Sequence, residues 1–197
     1  MIKISPFNRS AAGVYLFIFS SLLIYPFILG IYPATRFVQE QIDIQVYSTH
    51  VTVKGRYVYR NSFPFPVAQG LSIPFHIDSD HAPPINIRAI QLTPRKKVIP
   101  LHYILGRHRF DLKFMPLEQK EIEISYRQET PMKNARYILR TTKPWKKPLV
   151  EGVYRLRLNG ARLVYSNYSL LSDGKDVYLF TAKKFMPQKD WDFSWEM

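Results

Sequence analysis

Hydrophobic positions follow two different rules along this chain of 197 residues. Residues 11–32, AAGVYLFIFSSLLIYPFILGIY, pass without a charge. As an α-helix this run would span about 33 Å, enough to cross a hydrocarbon core of about 30 Å with some tilt. From residue 42 onward the apolar spacing changes to two. Ile42, Ile44 and Val46 alternate with Asp43, Gln45 and Tyr47, and Val51, Val53, Tyr57 and Tyr59 repeat the pattern around Gly55, a candidate bulge. Further strand-like stretches are 71–77, 86–92, 98–104, 108–114, 121–127, 135–142, 153–158, 162–168 and 177–182. Pro, Gly, Asn and Asp separate them. About ten short strands at such intervals predict an all-β fold, an antiparallel β-sandwich of immunoglobulin-like or jelly-roll-like type. Asn159-Gly160 is the strongest hairpin signal, because both residues accept the positive φ of a type I′ turn.

The apolar run has three readings: a retained transmembrane helix, a cleaved signal peptide and a buried core helix. Its length and the poor cleavage site around Tyr32 and Ala34 favour retention. Pro26 would kink the helix, which a bilayer tolerates where neighbouring groups re-satisfy the freed carbonyl. Lys3, Arg9 and the α-amine precede the run without any acid, whereas Arg36, Glu40 and Asp43 follow it. The bias predicts a cytoplasmic N-terminus and a periplasmic or extracellular β domain. The expected organisation is a cytoplasmic tail at 1–10, the helix at 11–32, a juxtamembrane linker at 33–41 and the β domain at 42–197.

Charge sharpens the picture of partners. The chain carries 28 Lys and Arg against 15 Asp and Glu. Setting aside Lys3 and Arg9 leaves the outer part at +11. Two stretches are basic and free of acid. One holds Arg95, Lys96, Lys97, Arg107 and Arg109. The other holds Lys133, Arg136, Arg140, Lys143, Lys146 and Lys147. They read either as anion- or partner-binding faces or as solvated surface. Arg136 and Arg140 share a parity in the predicted strand 135–142 and should share a face. With no nucleic-acid-binding module in sight, the expected partners are the lipid bilayer and a membrane protein complex or anionic envelope component. Cysteine is absent, which excludes disulfides and thiolate chemistry.

Three segments, VTVKGRYVYRNSFPFPVAQGLSIPF, KEIEISYRQ and ARYILRTTKPWKKPL, together resemble uncharacterised bacterial membrane-anchored β-sandwich proteins over residues 50–165. The resemblance implies a β-sandwich and carries over no functional residue.

Candidate chemistry is sparse. His76, Asp78, Asp80 and His81 could ligate a divalent metal, since alternation puts His76, Asp78 and Asp80 on one side. The other reading is a surface turn, ordinary for Asp-Ser-Asp before Pro83-Pro84. No G-x-S-x-G, H-E-x-x-H or phosphate-cradling glycine loop occurs. In the tail, Trp191, Phe193 and Trp195 alternate with Asp192, Ser194 and Glu196. This is either an edge strand closing the sheet or a partner-docking strand. The sequence therefore points to a non-catalytic, cofactor-free, membrane-anchored accessory or assembly subunit. A lipid- or glycan-binding module is the second reading, and a metal-dependent enzyme built on the histidine cluster the third.

Overall fold

A computed structural model describes residues 34–197. The apolar run at 11–32, the basic flank before it and the expected topology lie outside the described residues. Among the described residues no helix is long and apolar enough to cross a membrane.

Fourteen strands and one short 3-10 turn make up this part of the chain, in the order β1 (Thr35–Val46), β2 (His50–Asn61), β3 (Val67–Ile73), β4 (Ile85–Gln91), β5 (Lys97–Ile99), β6 (His102–Ile104), β7 (Arg107–Phe114), β8 (Gln119–Glu129), β9 (Asn134–Tyr137), the 3-10 turn (Arg140–Trp145), β10 (Leu149–Arg157), β11 (Arg162–Ser166), β12 (Leu171–Ser172), β13 (Val177–Phe185) and β14 (Trp191–Glu196). Eight of them form one large sheet in the order β12-β13-β10-β1-β2-β8-β4-β5. The others form two three-stranded sheets, β11-β14-β9 and β3-β7-β6. The expected all-β fold is present.

Both small sheets lie on the same face of the large one. Ile42, Ile44, Val51, Val53, Tyr154, Leu156 and Phe180 of the large sheet pack with Tyr137, Trp191, Phe193 and Trp195 of β9 and β14. Farther along the same face, Phe37, Tyr59, Ile122, Ile124 and Leu149 pack with Leu71, Ile73, Phe110, Leu112 and Phe114 of β3 and β7. Period-two alternation along every long strand supplies these inward rows.

Several local expectations change. Most of the segment assigned to a linker at 33–41 is the first half of β1, which begins at Thr35 and pairs with β2 from Thr35↔Asn61 onward. A bulge between Phe37 and Gln39 moves the inward parity from Thr35 and Phe37 to Glu40 and Ile42. That phase slip, with an acid on the inner face, conceals the strand's alternation. The strict antiparallel expectation also fails. β1 pairs with β10 in parallel, Gln39↔Glu151 through Gln45↔Arg157. Such a pair needs a long crossover, which no local turn signal encodes. Gly55 is not a bulge; it sits in unbroken register between Ile42 and Ile124. The stretch 98–104 breaks into β5 and β6 around Pro100. Strand 135–142 stops at Tyr137, and Pro144 lies inside the 3-10 turn that follows. Asn159 (φ 47°) and Gly160 (φ 90°) do make the expected positive-φ turn, closed by Ala161 N–H to Leu158 O at 3.0 Å. It makes no hairpin, however, because β10 and β11 leave it for different sheets.

Candidate functional site

The outer face of the large sheet, opposite the two small sheets, is polar by the same alternation that makes its inner face apolar. Register aligns these outward residues into rows across the sheet. One row runs Arg155, Asp43, Lys54, Ser125, Arg88 over five strands. The next runs Arg157, Gln45, Thr52, Arg127. Between β1 and β4 this face forms a groove of about 670 Å³, lined by Gln41, Asp43, Thr52, Lys54, Asn86 and Arg88 among others. A bulge between Ile85 and Arg88, with Asn86 at φ 55°, turns β4 at the groove's edge.

The walls are cross-braced. Arg157 Nε lies 3.2 Å from Asp43 Oδ2, and Arg155 Nη1 lies 3.8 Å from the same oxygen. Lys54 and Arg56 both reach Glu123, at 3.8 and 3.4 Å. Arg127 pairs with Glu129 at 2.7 Å, while its buried Nε has no hydrogen-bond partner. At one end Tyr47 stacks on His50, ring centroids 4.7 Å apart. Burial, followed by the charge of Arg127, pulls the His50 imidazole below its ordinary range. Arg88 is exposed and forms no ion pair among the described residues. The groove thus offers donors and acceptors of both signs on one face of the sheet.

A second polar feature lies on the inner face. Glu40 is 2 % exposed. Its Oε1 accepts the Tyr137 hydroxyl at 2.8 Å and its Oε2 the Tyr154 hydroxyl at 2.9 Å. The Tyr57 and Tyr137 oxygens are 2.8 Å apart, so Tyr57 extends the chain by donating to Tyr137. Glycines make room for these rings. A Cβ at Gly55 would meet the Tyr57 oxygen at 2.2 Å, and one at Gly152 would meet the Tyr154 oxygen at 2.6 Å. Burial pushes the Glu40 carboxyl up to about 7, against the two hydroxyls that hold it down. Burial likewise pushes the Tyr57 and Tyr137 hydroxyls upward, helped by the Glu40 charge. This network occupies the boundary between the two apolar cores, for Phe37 on one side of Glu40 belongs to one core and Ile42 on the other side to the second.

The loop between β3 and β4 brings His76, Asp78 and His81 together. Asp80, grouped with them by alternation, is not part of the convergence. The segment is a turn, so parity does not apply, and Asp80 instead meets Ser79 Oγ at 3.2 Å.

The two basic stretches do not form two continuous faces. Arg95, Lys96 and Lys97 are exposed around the β4–β5 turn, and Arg107 and Arg109 are exposed on β7. Lys143, Lys146 and Lys147 are exposed in and after the 3-10 turn. The remaining three serve the fold. Lys133 Nζ donates to Ser48 O, Arg136 pairs with Asp192, and Arg140 grips Asp190 at 2.8 Å. Arg136 and Arg140 occupy different elements because β9 ends between them, so they share no strand face. Asp190 also accepts the backbone N–H groups of Leu139 and Arg140, each at 3.1 Å. Burial pushes its carboxyl up, but the bonds from Arg140 outweigh this and hold it below its ordinary value.

Trp191, Phe193 and Trp195 are 0, 1 and 3 % exposed, so they are core and present no docking surface. β14 is the middle strand of its sheet and not an edge, flanked by β9 and β11. The groove and the Glu40 network escape a linear reading. Their signals are the recurring Gly-x-Tyr at 55–57 and 152–154 and an acid on an inward position.

No family model matches the chain, and no curated protein does. Among solved structures, a protein from Legionella pneumophila, provisionally named a nutrient binding protein, superposes with a TM-score of 0.67. Identity is 15 %, and the match covers 84 % of this chain and 68 % of that one. An M1 zinc metallopeptidase from Deinococcus radiodurans superposes with a TM-score of 0.45 at 7 % identity, over 82 % of this chain and 42 % of that one. The first likeness shows a shared β fold.

Proposed function

We propose that this protein is a membrane-tethered, non-catalytic accessory or assembly subunit whose polar groove docks on a membrane protein complex or envelope partner. The observation that carries the reading is the groove itself: a braced, concave, polar surface of mixed charge, with Arg88 left unpaired. The uncharged run 11–32 supports the tether, and the flanking Lys3 and Arg9 support a cytoplasmic N-terminus with the β domain periplasmic or extracellular. The layered sheets support the sandwich reading of the domain. Tethering confines the partner to a thin layer and raises its effective concentration, so a modest interface suffices.

The test is gentle detergent extraction of the native protein and identification of what co-purifies. A defined set of membrane subunits is expected, and a Lys54→Glu, Arg88→Glu variant should lose it. Both side chains are exposed and the Lys54–Glu123 pair lies at the surface, so the variant's stability should stay within about 1 kcal/mol of the parent in a thermal melt. Undiminished capture by the variant, at unchanged stability, would remove the groove from the proposal.

A second reading, binding of anionic lipid or glycan, is favoured by the exposed Arg95, Lys96 and Lys97 at one turn. Association of the protein with anionic vesicles that fades between low and high salt would support it, since exposed charges are screened over about 10 Å at 0.1 M. Equal association with neutral vesicles at high salt would count against it.

A further inference from the structure

Two imidazoles converge on one carboxylate in the loop that leads from β3, in a small sheet, to β4, in the large one. His76 Nε2 lies 2.7 Å from Asp78 Oδ2, and His81 Nδ1 lies 2.7 Å from Asp78 Oδ1. The two rings sit with centroids 4.6 Å apart. One ligand atom from each of the three residues falls within 4.8 Å of the other two. We propose that His76, Asp78 and His81 form a binding site for a divalent transition-metal cation, of which Zn2+ is the type.

The donor set selects the class of cation. Two imidazole nitrogens and one carboxylate oxygen suit zinc and its neighbours, whereas calcium and magnesium take oxygen ligands almost exclusively. Ligands about 2.0–2.1 Å from a common tetrahedral centre lie about 3.3 Å from one another. The two imidazole–carboxylate separations of 2.7 Å and the 4.8 Å limit on all three lie close to that spacing. Asp78 is half exposed, which leaves a fourth position open to water.

The backbone that delivers the ligands is pinned from outside the cluster. Gln128, buried on β8, donates from Nε2 to His76 O and to Ala82 O, both at 2.8 Å. Asp78 N–H donates to His81 O at 3.2 Å and closes the turn. Asp78 Oδ1 accepts the N–H groups of Asp80 and His81, each at 2.9 Å, which orients the carboxylate between the two rings. Metal ligands are commonly held by such outer partners.

His81 is 8 % exposed. Among the described residues, Asp78 is the one side-chain group that meets a nitrogen of this ring, at Nδ1, so Nδ1 is the atom the cluster offers to a cation. Binding requires that the ring nitrogens facing Asp78 carry no proton. Each ring then presents a lone pair, and its proton moves to the opposite ring nitrogen or leaves to solvent. The bound cation would rigidify the loop between β3 and β4, a role separate from the groove.

The experiment uses the untagged full-length chain in detergent, stripped with chelator, and titrates Zn2+ by calorimetry alongside thermal melts. One equivalent should bind in the micromolar range or tighter, and the melting temperature should rise until that equivalent is filled. His76→Gln and Asp78→Asn should each weaken binding by about tenfold or more, by analogy with what even outer-shell changes cost. Both side chains reach solvent, so the variants should fold, and their metal-free melts establish this. His102→Gln, on β6, should bind as the parent does, and Mg2+ should leave the melt unchanged. Absence of one-to-one binding in the parent, or parent-like affinity in a folded His76→Gln, would overturn the proposal.

Discussion

The two small sheets cover the same face of the large sheet but are held there by different chemistry. The β11-β14-β9 cover is aromatic. Trp191 meets Phe180 edge-on at 5.2 Å and Phe193 at 5.1 Å, and Tyr154 stacks on Phe180 at 4.3 Å. Its rim is locked by Arg136 with Asp192, Arg140 with Asp190, and Arg162 with Glu196. The β3-β7-β6 cover relies on Leu71, Ile73, Phe110, Leu112 and Phe114. Its outer edge leaves Tyr103, Ile104 and Leu105 exposed. One cover is completed by residues near the end of the chain, long after its partners in β1 and β2. The other comes from strands within one stretch of sequence, Val67–Ile73 and Arg107–Phe114. Late, distant closure coincides with large interlocking rings and ion pairs. Between the covers stands Glu40, an acid where either core alone would hold an aliphatic residue.

The strongest way to break this comparison is to remove the aromatic closure. Trp191→Ala with Trp195→Ala should destabilise the protein by roughly 3–5 kcal/mol per ring, a large part of a domain's usual 5–15 kcal/mol. A thermal melt checks it, and a midpoint close to the parent's would mean that the tail is an appendage.

A double-mutant cycle sharpens the comparison. Leu112→Ala, in the other core, should cost about 2–5 kcal/mol alone. Combined with Trp191→Ala, the two costs should add within about 0.5 kcal/mol if each cover packs independently on the large sheet. A larger deviation, read in denaturant melts, would show that the cores are coupled across the Glu40 boundary.

The smallest expected effect concerns Glu40 itself and depends on pH. Its carboxyl is raised from 4.5 to about 7 in the folded protein. At a pH below the unfolded value both states are protonated and the group is neutral in the balance. As pH rises through that interval the folded state retains a proton that the unfolded state has lost, so stability falls, by about 3 kcal/mol in total, and stays lower above it. Glu40→Gln should abolish this slope. It should melt above the parent at pH 8 and close to it at pH 4.5. Parallel pH profiles for the two proteins would show that the boundary acid is already solvated.

Much of the fold was legible where alternation is clean. Residues 108–114, 121–127 and 177–182 fall inside β7, β8 and β13, and the Asn159-Gly160 turn has its expected backbone. The first half of β1 was not legible, because its bulge slips the phase and Glu40 breaks the apolar row. The histidine cluster was half legible. Its residue types stand out, but alternation selects Asp80, whereas the turn delivers His81.

By itself the sequence determined the β class, the basic charge, the uncharged run 11–32 and the alternation that separates an apolar face from a polar one. These are local properties, set by side-chain chemistry at spacing two. Tertiary structure alone decided that β10 lies parallel to β1, that the tail is a central strand rather than an edge, and that outward residues from four strands line one groove. It also decided that Arg136 and Arg140 neutralise Asp192 and Asp190 instead of awaiting an outside anion. Each of these depends on which distant segments become neighbours. That choice is made by the total burial of the inner face and the pairing of every buried polar group, quantities summed over the whole chain and carried by no single stretch of it.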